Sequence, residues 1–216
     1  MQITIREPGS AITHFIGMIM VMLAAIPLLT KAANAAHTLA PISLSIFILT
    51  MLLLYGASTT YHAVSLSDKS IKFFKRLDHM MIFALIAGSY TPVCMTILEG
   101  KIGVNLLIAI WSLAGIGMLF KLLWVTCPKW FSSLIYIAMG WVCVVVIGPL
   151  AASLDAAALF WLAAGGLIYT AGGIIYALKL KLFNSRHRSF GSHEIFHIFV
   201  MGGSFCHFIF MFFYIA

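Results

Sequence analysis

Charge is scarce in this chain: 9% of its 216 residues are Asp, Glu, Lys or Arg, and only six are acidic. With 62% of residues hydrophobic and a mean hydropathy of +1.07, too few polar side chains exist to cover a water-soluble globule, which excludes a soluble domain. Cysteine is also sparse. Cys94, Cys127, Cys143 and Cys206 stand alone in or beside apolar runs with no CxxC spacing, so neither a disulfide framework nor a thiolate metal site is expected, and they read as packing residues. The apolar runs lack strict alternation, which excludes a transmembrane barrel. No lysine lies in the last run, which removes the Schiff-base chemistry of a retinal protein. A net charge of +7 would hint at nucleic acid in a soluble protein. In a chain this apolar it records membrane topology, and no nucleic-acid partner is expected.

What is present is a succession of long apolar runs. A helix needs about 20 apolar residues to cross a hydrocarbon core, and hydropathy read with its breakers predicts spans near 12–30, 42–62, 78–98, 104–124, 131–151, 156–178 and 193–215. Helices are required because a bilayer offers no water to an unpaired amide. The expected fold is an all-α integral membrane protein, a seven-transmembrane-helix bundle forming a single domain over residues 1–216. The small residues from Ala32 to Ala36 give the first run the look of a signal peptide, but it is read as a retained span. Pro27, Pro92 and Pro149 are candidate kinks. Gly165, Gly166, Gly172 and Gly173 in the sixth span are read as sites of close helix approach.

Basic residues divide unevenly between the two ends of the spans. Arg6, Lys69, Lys72, Lys75, Arg76, Lys121, Lys129, Lys179, Lys181, Arg186 and Arg188 fall on one side, in the N-terminal segment and the 2/3, 4/5 and 6/7 loops; only Lys31 and Lys101 fall on the other. The positive-inside rule then predicts a cytoplasmic N-terminus and a C-terminus outside, in the cell membrane.

Ionisable residues inside membrane spans are costly and mark function, and here they are few: His14, His62, Asp78, His79, His193, Glu194, His197 and His207. Helix parity brings the end of span 2 (His62), the start of span 3 (Asp78) and the start of span 7 (His193) to one depth. His193 and His197 form an HxxxH pair, one turn apart on one face, about 6 Å between residues. Ser58 and His62 form SxxxH, which aligns a hydroxyl with an imidazole in the same way. Three imidazoles with a fourth position open is the donor set of catalytic zinc, although iron, nickel or copper also accept such ligands. Asp78 is then the group to take a proton from, or orient, the attacking water, and Ser58 the hydroxyl beside it. A purely structural polar cluster pinning spans 2, 3 and 7 fits the residues equally well. The metal reading requires the His62 ring to lie within about 8 Å of His193 and His197.

Other polar residues read differently. His79 projects about 100° away from Asp78 and is expected to pack or meet head groups. His14 has either a supporting or a lipid-facing role. His207, ten residues beyond His197 and so about 15 Å deeper, is too far for the same metal and is expected to line a cavity. Glu194 is expected to be solvated.

Ser58 with His62, Asp78 within RLDHMMIFALIAGSYTP, SHEIFHIFVMGGSFCHF near the C-terminus and the opening EPGSAITHFIG together resemble the haemolysin III family, the bacterial branch of the progestin and adipoQ receptor superfamily. The resemblance covers essentially the whole chain. It implies a seven-helix membrane protein with a cytoplasmic N-terminus and a zinc ion held near the cytoplasmic side by His62, His193 and His197, with Asp78 and Ser58 beside the zinc-bound water. The long N-terminal region of the animal receptors is not matched, so hormone binding is not carried over.

Two functions follow as expectations. One is a ceramidase-like, zinc-dependent hydrolase of a lipid amide or ester, with membrane lipid as substrate. The other is a non-enzymatic, zinc-stabilised sensor or regulator of membrane fluidity or energetics. Literal cytolysis is disfavoured, because seven continuous spans describe a resident membrane protein.

Overall fold

Four of the membrane-length helices begin on residues suited to start a helix. The computed structural model describes residues 5–98, 100–178 and 190–216. In it, α1 (Pro8–Ala32) and α2 (Ala40–Ala63) carry proline in the first turn, where its fixed φ and missing N–H cost nothing. The Ser67 side chain accepts the Ser70 N–H at the head of α3 (Asp68–Thr96). Then come α4 (Gly100–Leu123), α5 (Lys129–Gly140), a 3-10 turn (Trp141–Val146), α6 (Ile147–Ser153), α7 (Ala156–Leu178) and α8 (Ser192–Tyr214). Asp155 Oδ1 caps α7 by accepting the Ala158 N–H at 2.7 Å. With α5 to α6 taken as one span, seven helices are long and apolar enough to cross a membrane, and the described residues contain no strand. The chain is a multi-pass membrane protein. Leu23, Ile26 and Val145 stand 66%, 68% and 84% exposed, an outward apolar surface that only lipid solvates at low cost.

The expected spans agree with these helices to within a few residues, except at two places. The third helix starts at Asp68 rather than near residue 78, so Lys69, Lys72, Lys75 and Arg76 belong to its first turns and not to a loop. Hydropathy detects only the apolar part of such a helix; the capped, charged part is held by ordinary helical hydrogen bonding. The charge attributed to the 4/5 loop is also misplaced in part. Lys121 sits in the last turn of α4, wholly buried, its Nζ 2.5 Å from Ser132 Oγ and 3.0 Å from Cys127 Sγ. Cys127 is therefore a hydrogen-bonding partner as well as a packing residue. Lys179, Lys181, Arg186 and Arg188 lie outside the described residues.

The fifth span breaks where a side chain from another helix enters its hydrogen-bond ladder. The Tyr90 hydroxyl of α3 donates to Gly140 O at 2.5 Å and accepts the Cys143 N–H at 2.9 Å. Pro149 adds a missing donor a turn and a half further on. Tyr90→Phe is expected to cost about 1–3 kcal/mol, because it leaves a half-buried amide and carbonyl without their partner. The thermal midpoint in detergent reads this; an unchanged midpoint would assign the break to the backbone alone.

Neighbouring helices close into a ring: α1 packs on α2 and α8, α2 on α3, α3 on α5, α5 on α7 and α7 on α8, while α4 packs on α3. Inside the ring is a cavity of about 130 Å³ open to the centre of a water molecule, roughly ten times what one water occupies. All six ring helices line it and α4 does not.

Candidate metal centre

One end of that cavity is lined by His14, His193 and His197, with the His62 ring beside the last two. His62 lies in the last turn of α2, and His193 and His197 lie one turn apart at the start of α8. The ring centroids are 4.9 Å (His62 to His193), 5.2 Å (His62 to His197) and 4.5 Å (His193 to His197) apart, well inside the limit that a shared ion requires. One nitrogen from each ring lies within 4.8 Å of the other two. This cluster can hold a metal ion. His62 Nε2 and His193 Nε2 face each other at 3.1 Å, close to the roughly 3.3 Å that tetrahedral geometry with 2.0–2.1 Å bonds places between two nitrogens.

The tautomers are set from α1. His62 Nδ1–H donates to the Glu7 carboxylate, which leaves its Nε2 as a lone pair aimed at His193. Thr13 donates its own proton to Ser10 O at 2.9 Å, so its oxygen accepts from His197 Nδ1–H at 3.1 Å and frees the other nitrogen of that ring. His62's hydrogen bond holds the Glu7 carboxyl below the usual carboxylate range, with the Arg6 charge acting in the same direction. The sign follows: this contact is intact at neutral pH and is lost only as pH falls through that lowered value. Such outer partners fix ring orientation and ligand basicity.

The remaining site residues take distinct places. Asp78 is buried at 6% exposure and lines the same cavity as His193 and His197. Among the described residues its one ion-pair partner is His79, whose Nδ1 is 3.4 Å from Asp78 Oδ2 and 2.9 Å from Lys75 O. Ser58 is wholly buried one turn before His62 and its hydroxyl has no partner among the described residues, though it is not among the residues lining the cavity. His79 is outside the histidine cluster, but instead of turning away toward head groups it pairs with Asp78 and lines the same cavity. His14 is buried and stacked on His197, centroids 3.6 Å apart and planes 10° apart. Near-parallel rings cannot converge on one ion, so His14 buttresses a ligand instead of facing lipid.

Glu194 is not simply solvated. It accepts from the Ser10 hydroxyl and, at 2.7 Å, from the Gly191 N–H at the head of α8. Carboxylate and hydroxyl together tie α1 to α8. Glu7, Ser10 and Thr13 carry no metal-ligand signature and sequence reasoning passed over them as site residues. A signal was available: Glu7, Ser10 and His14, at i, i+3 and i+7, form one polar face on an otherwise apolar helix.

Loss of an outer partner is expected to weaken metal binding by about 10- to 100-fold. Glu7→Ala and Thr13→Val should each do so in a competitive chelator titration while the chain still folds. Affinity unchanged in both would mean that α1 plays no part in setting the ligands.

The chain has relatives over nearly its whole length. The Hemolysin-3 homolog of Bacillus subtilis is 38% identical over 98% of this chain and 95% of its own length. Hemolysin-3 of Bacillus cereus is 38% identical over 97% of this chain and 92% of its own. The adiponectin receptor protein of Drosophila melanogaster is 25% identical over 94% of this chain but only 49% of its own length. Residues 2–208 match the family described as Haemolysin-III related, and the chain, whose described residues include seven apolar helices and a largely buried three-histidine cluster, belongs to that family.

Proposed function

We propose that this protein is a zinc-dependent hydrolase of a lipid amide or ester, seated in the plasma membrane with its histidine cluster near the cytoplasmic face. The observation that carries the reading is the cavity itself. It is enclosed by six helices and mostly apolar, and its polar end presents His193 and His197 of the histidine cluster together with the buried carboxylate of Asp78. That combination suits an acyl chain whose carbonyl reaches the histidines.

The donor set fits zinc: three neutral nitrogens, with room for one further group. Bound there, zinc supplies a Lewis acid and a source of hydroxide near neutral pH. The chain supplies the rest. His62, His193 and His197 hold the ion, with Glu7 and Thr13 fixing two of the rings. Asp78 takes the proton lost by the attacking water and returns it to the nitrogen or oxygen that leaves when the acyl bond breaks. A buried carboxylate with one weak imidazole partner also needs a nearby positive charge, which a divalent ion at the cluster provides. The unpaired Ser58 hydroxyl is available to hydrogen-bond at the same centre. The apolar walls hold the acyl chain and keep bulk water out. The uneven distribution of basic residues supports the cytoplasmic placement of the N-terminus.

A second reading rests on α1. Its bonds to His62, His197 and Glu194 draw α1, α2 and α8 together, so a metal there also acts as a staple, as a sensor of membrane state would use it. One assay separates the two. Purified protein in lipid nanodiscs is offered N-acyl and O-acyl lipids, and fatty acid release is followed by mass spectrometry. The hydrolase reading expects release that a chelator abolishes and added zinc restores. No release from either class, alongside a thermal midpoint that falls on chelation, would leave the staple.

A further inference from the structure

The far end of the cavity is not apolar. His207 on α8 lines it at 8% exposure, with Nε2–H 3.4 Å from Leu162 O and Nδ1 left without any partner. Tyr169 on α7 lines it as well, its ring 5.4 Å from that of His207. The Tyr169 hydroxyl is bonded to Ser204 at 2.8 Å, and Ser204 accepts from Tyr55 at 2.7 Å.

Three hydroxyls bring three protons, and these two bonds use two of them. If Ser204 donates to Tyr169, the Tyr169 proton is free at the cavity wall. In that arrangement this end of the pocket offers a surplus O–H donor beside an unmatched imidazole acceptor, and a buried polar group left so is costly. Glycine makes the room. A Cβ at Gly165 would strike the His207 ring, and one at Gly203 would come within 2.8 Å of the Tyr169 ring, so both rings sit where only glycine admits them.

We propose that His207, Tyr169 and Ser204 form a second polar subsite that takes a hydroxyl carried on the hydrocarbon part of the ligand. The ligand O–H donates to His207 Nδ1 and the ligand oxygen accepts from the Tyr169 hydroxyl. Charge argues against an anion, because among the described residues no Lys or Arg lines the cavity and a buried unpaired carboxylate or phosphate is far more costly than a neutral group. A neutral group with donor and acceptor on one atom fits a pair of wall groups set this close. The subsite lies ten residues along α8 from His197, about 15 Å, so the hydroxyl belongs well down the chain and not beside the head. The inference rests on the reading that an acyl lipid places its head at the histidine cluster.

The test uses the whole protein in detergent and four probes: octadecanoic acid and its 3-, 10- and 12-hydroxy derivatives, with affinities measured by calorimetry. Two well-made hydrogen bonds predict that the 10- or 12-hydroxy probe binds about 10- to 100-fold more tightly than octadecanoic acid, while the 3-hydroxy probe gains nothing. Tyr169→Phe and His207→Phe should each erase that preference and leave octadecanoic acid within about threefold of its original affinity. Equal binding of all four probes to the unsubstituted protein would overturn the subsite and assign its polar groups to water. A preference that survives both substitutions would overturn it too. If none of the four binds, the acyl-lipid reading falls and the subsite with it, an outcome distinct from equal binding.

Discussion

Replacing His193 and His197 together with alanine is expected to take the purified protein from about one equivalent of zinc to none. Both rings contribute a donor to the cluster, and His62 alone cannot hold a divalent ion against water. The loss should exceed the roughly 10- to 100-fold that removal of an outer partner costs, because two of the three proposed bonds to the ion disappear outright. Elemental analysis after exhaustive dialysis reads the result directly. Imidazole must be neutral to bind, so the unsubstituted protein should also release metal on acidification. The double variant should show no such pH step. Stoichiometric zinc retained in that variant would remove these residues from the ligand set and, with them, the hydrolase reading.

How much of this was legible beforehand depends on the range of the interaction concerned. Seven spans are written into local hydropathy, and helix parity alone brings His62 to the same end of the bundle as His193 and His197. The i, i+4 spacing of HxxxH does the rest. The start of α3 escapes a hydropathy reading because its first turns are held by a serine cap and ordinary helical bonding, and not by burial in lipid. The break in the fifth span was hidden for another reason: Tyr90 reaches it from fifty residues away, and nothing in the run from Trp141 to Val146 announces a foreign hydroxyl. The same holds for Glu7 and Thr13. Their partners lie 55 and 184 residues off, and only the packing of α1 against both α2 and α8 reveals them. Lys121 shows how counting charge by loop misleads, since its ammonium is buried against a thiol and a hydroxyl while the count treats it as surface.

The sharper test of chemistry is Asp78→Asn. The substitution keeps the shape and the hydrogen-bonding capacity toward His79 while removing the ability to carry a proton. If Asp78 is the acid and base, turnover of the acyl lipid should drop by about 10²- to 10⁴-fold, the usual worth of a positioned proton-transfer group, and zinc should stay near one equivalent because no carboxylate is needed among the ligands. Burial sharpens the argument. Asp78 is 6% exposed and meets His79 only at 3.4 Å, so an ionised carboxylate there is expensive unless a nearby cation offsets it. A purely structural cluster gains little from keeping that charge and tolerates the neutral amide well. The three outcomes are therefore distinct. Turnover lost with zinc and thermal midpoint retained identifies a proton carrier. Turnover unchanged removes Asp78 from the mechanism. Zinc and midpoint lost together mean that the carboxylate holds the centre in place, and α1, α2 and α8 are then joined by a staple and not by a site of reaction.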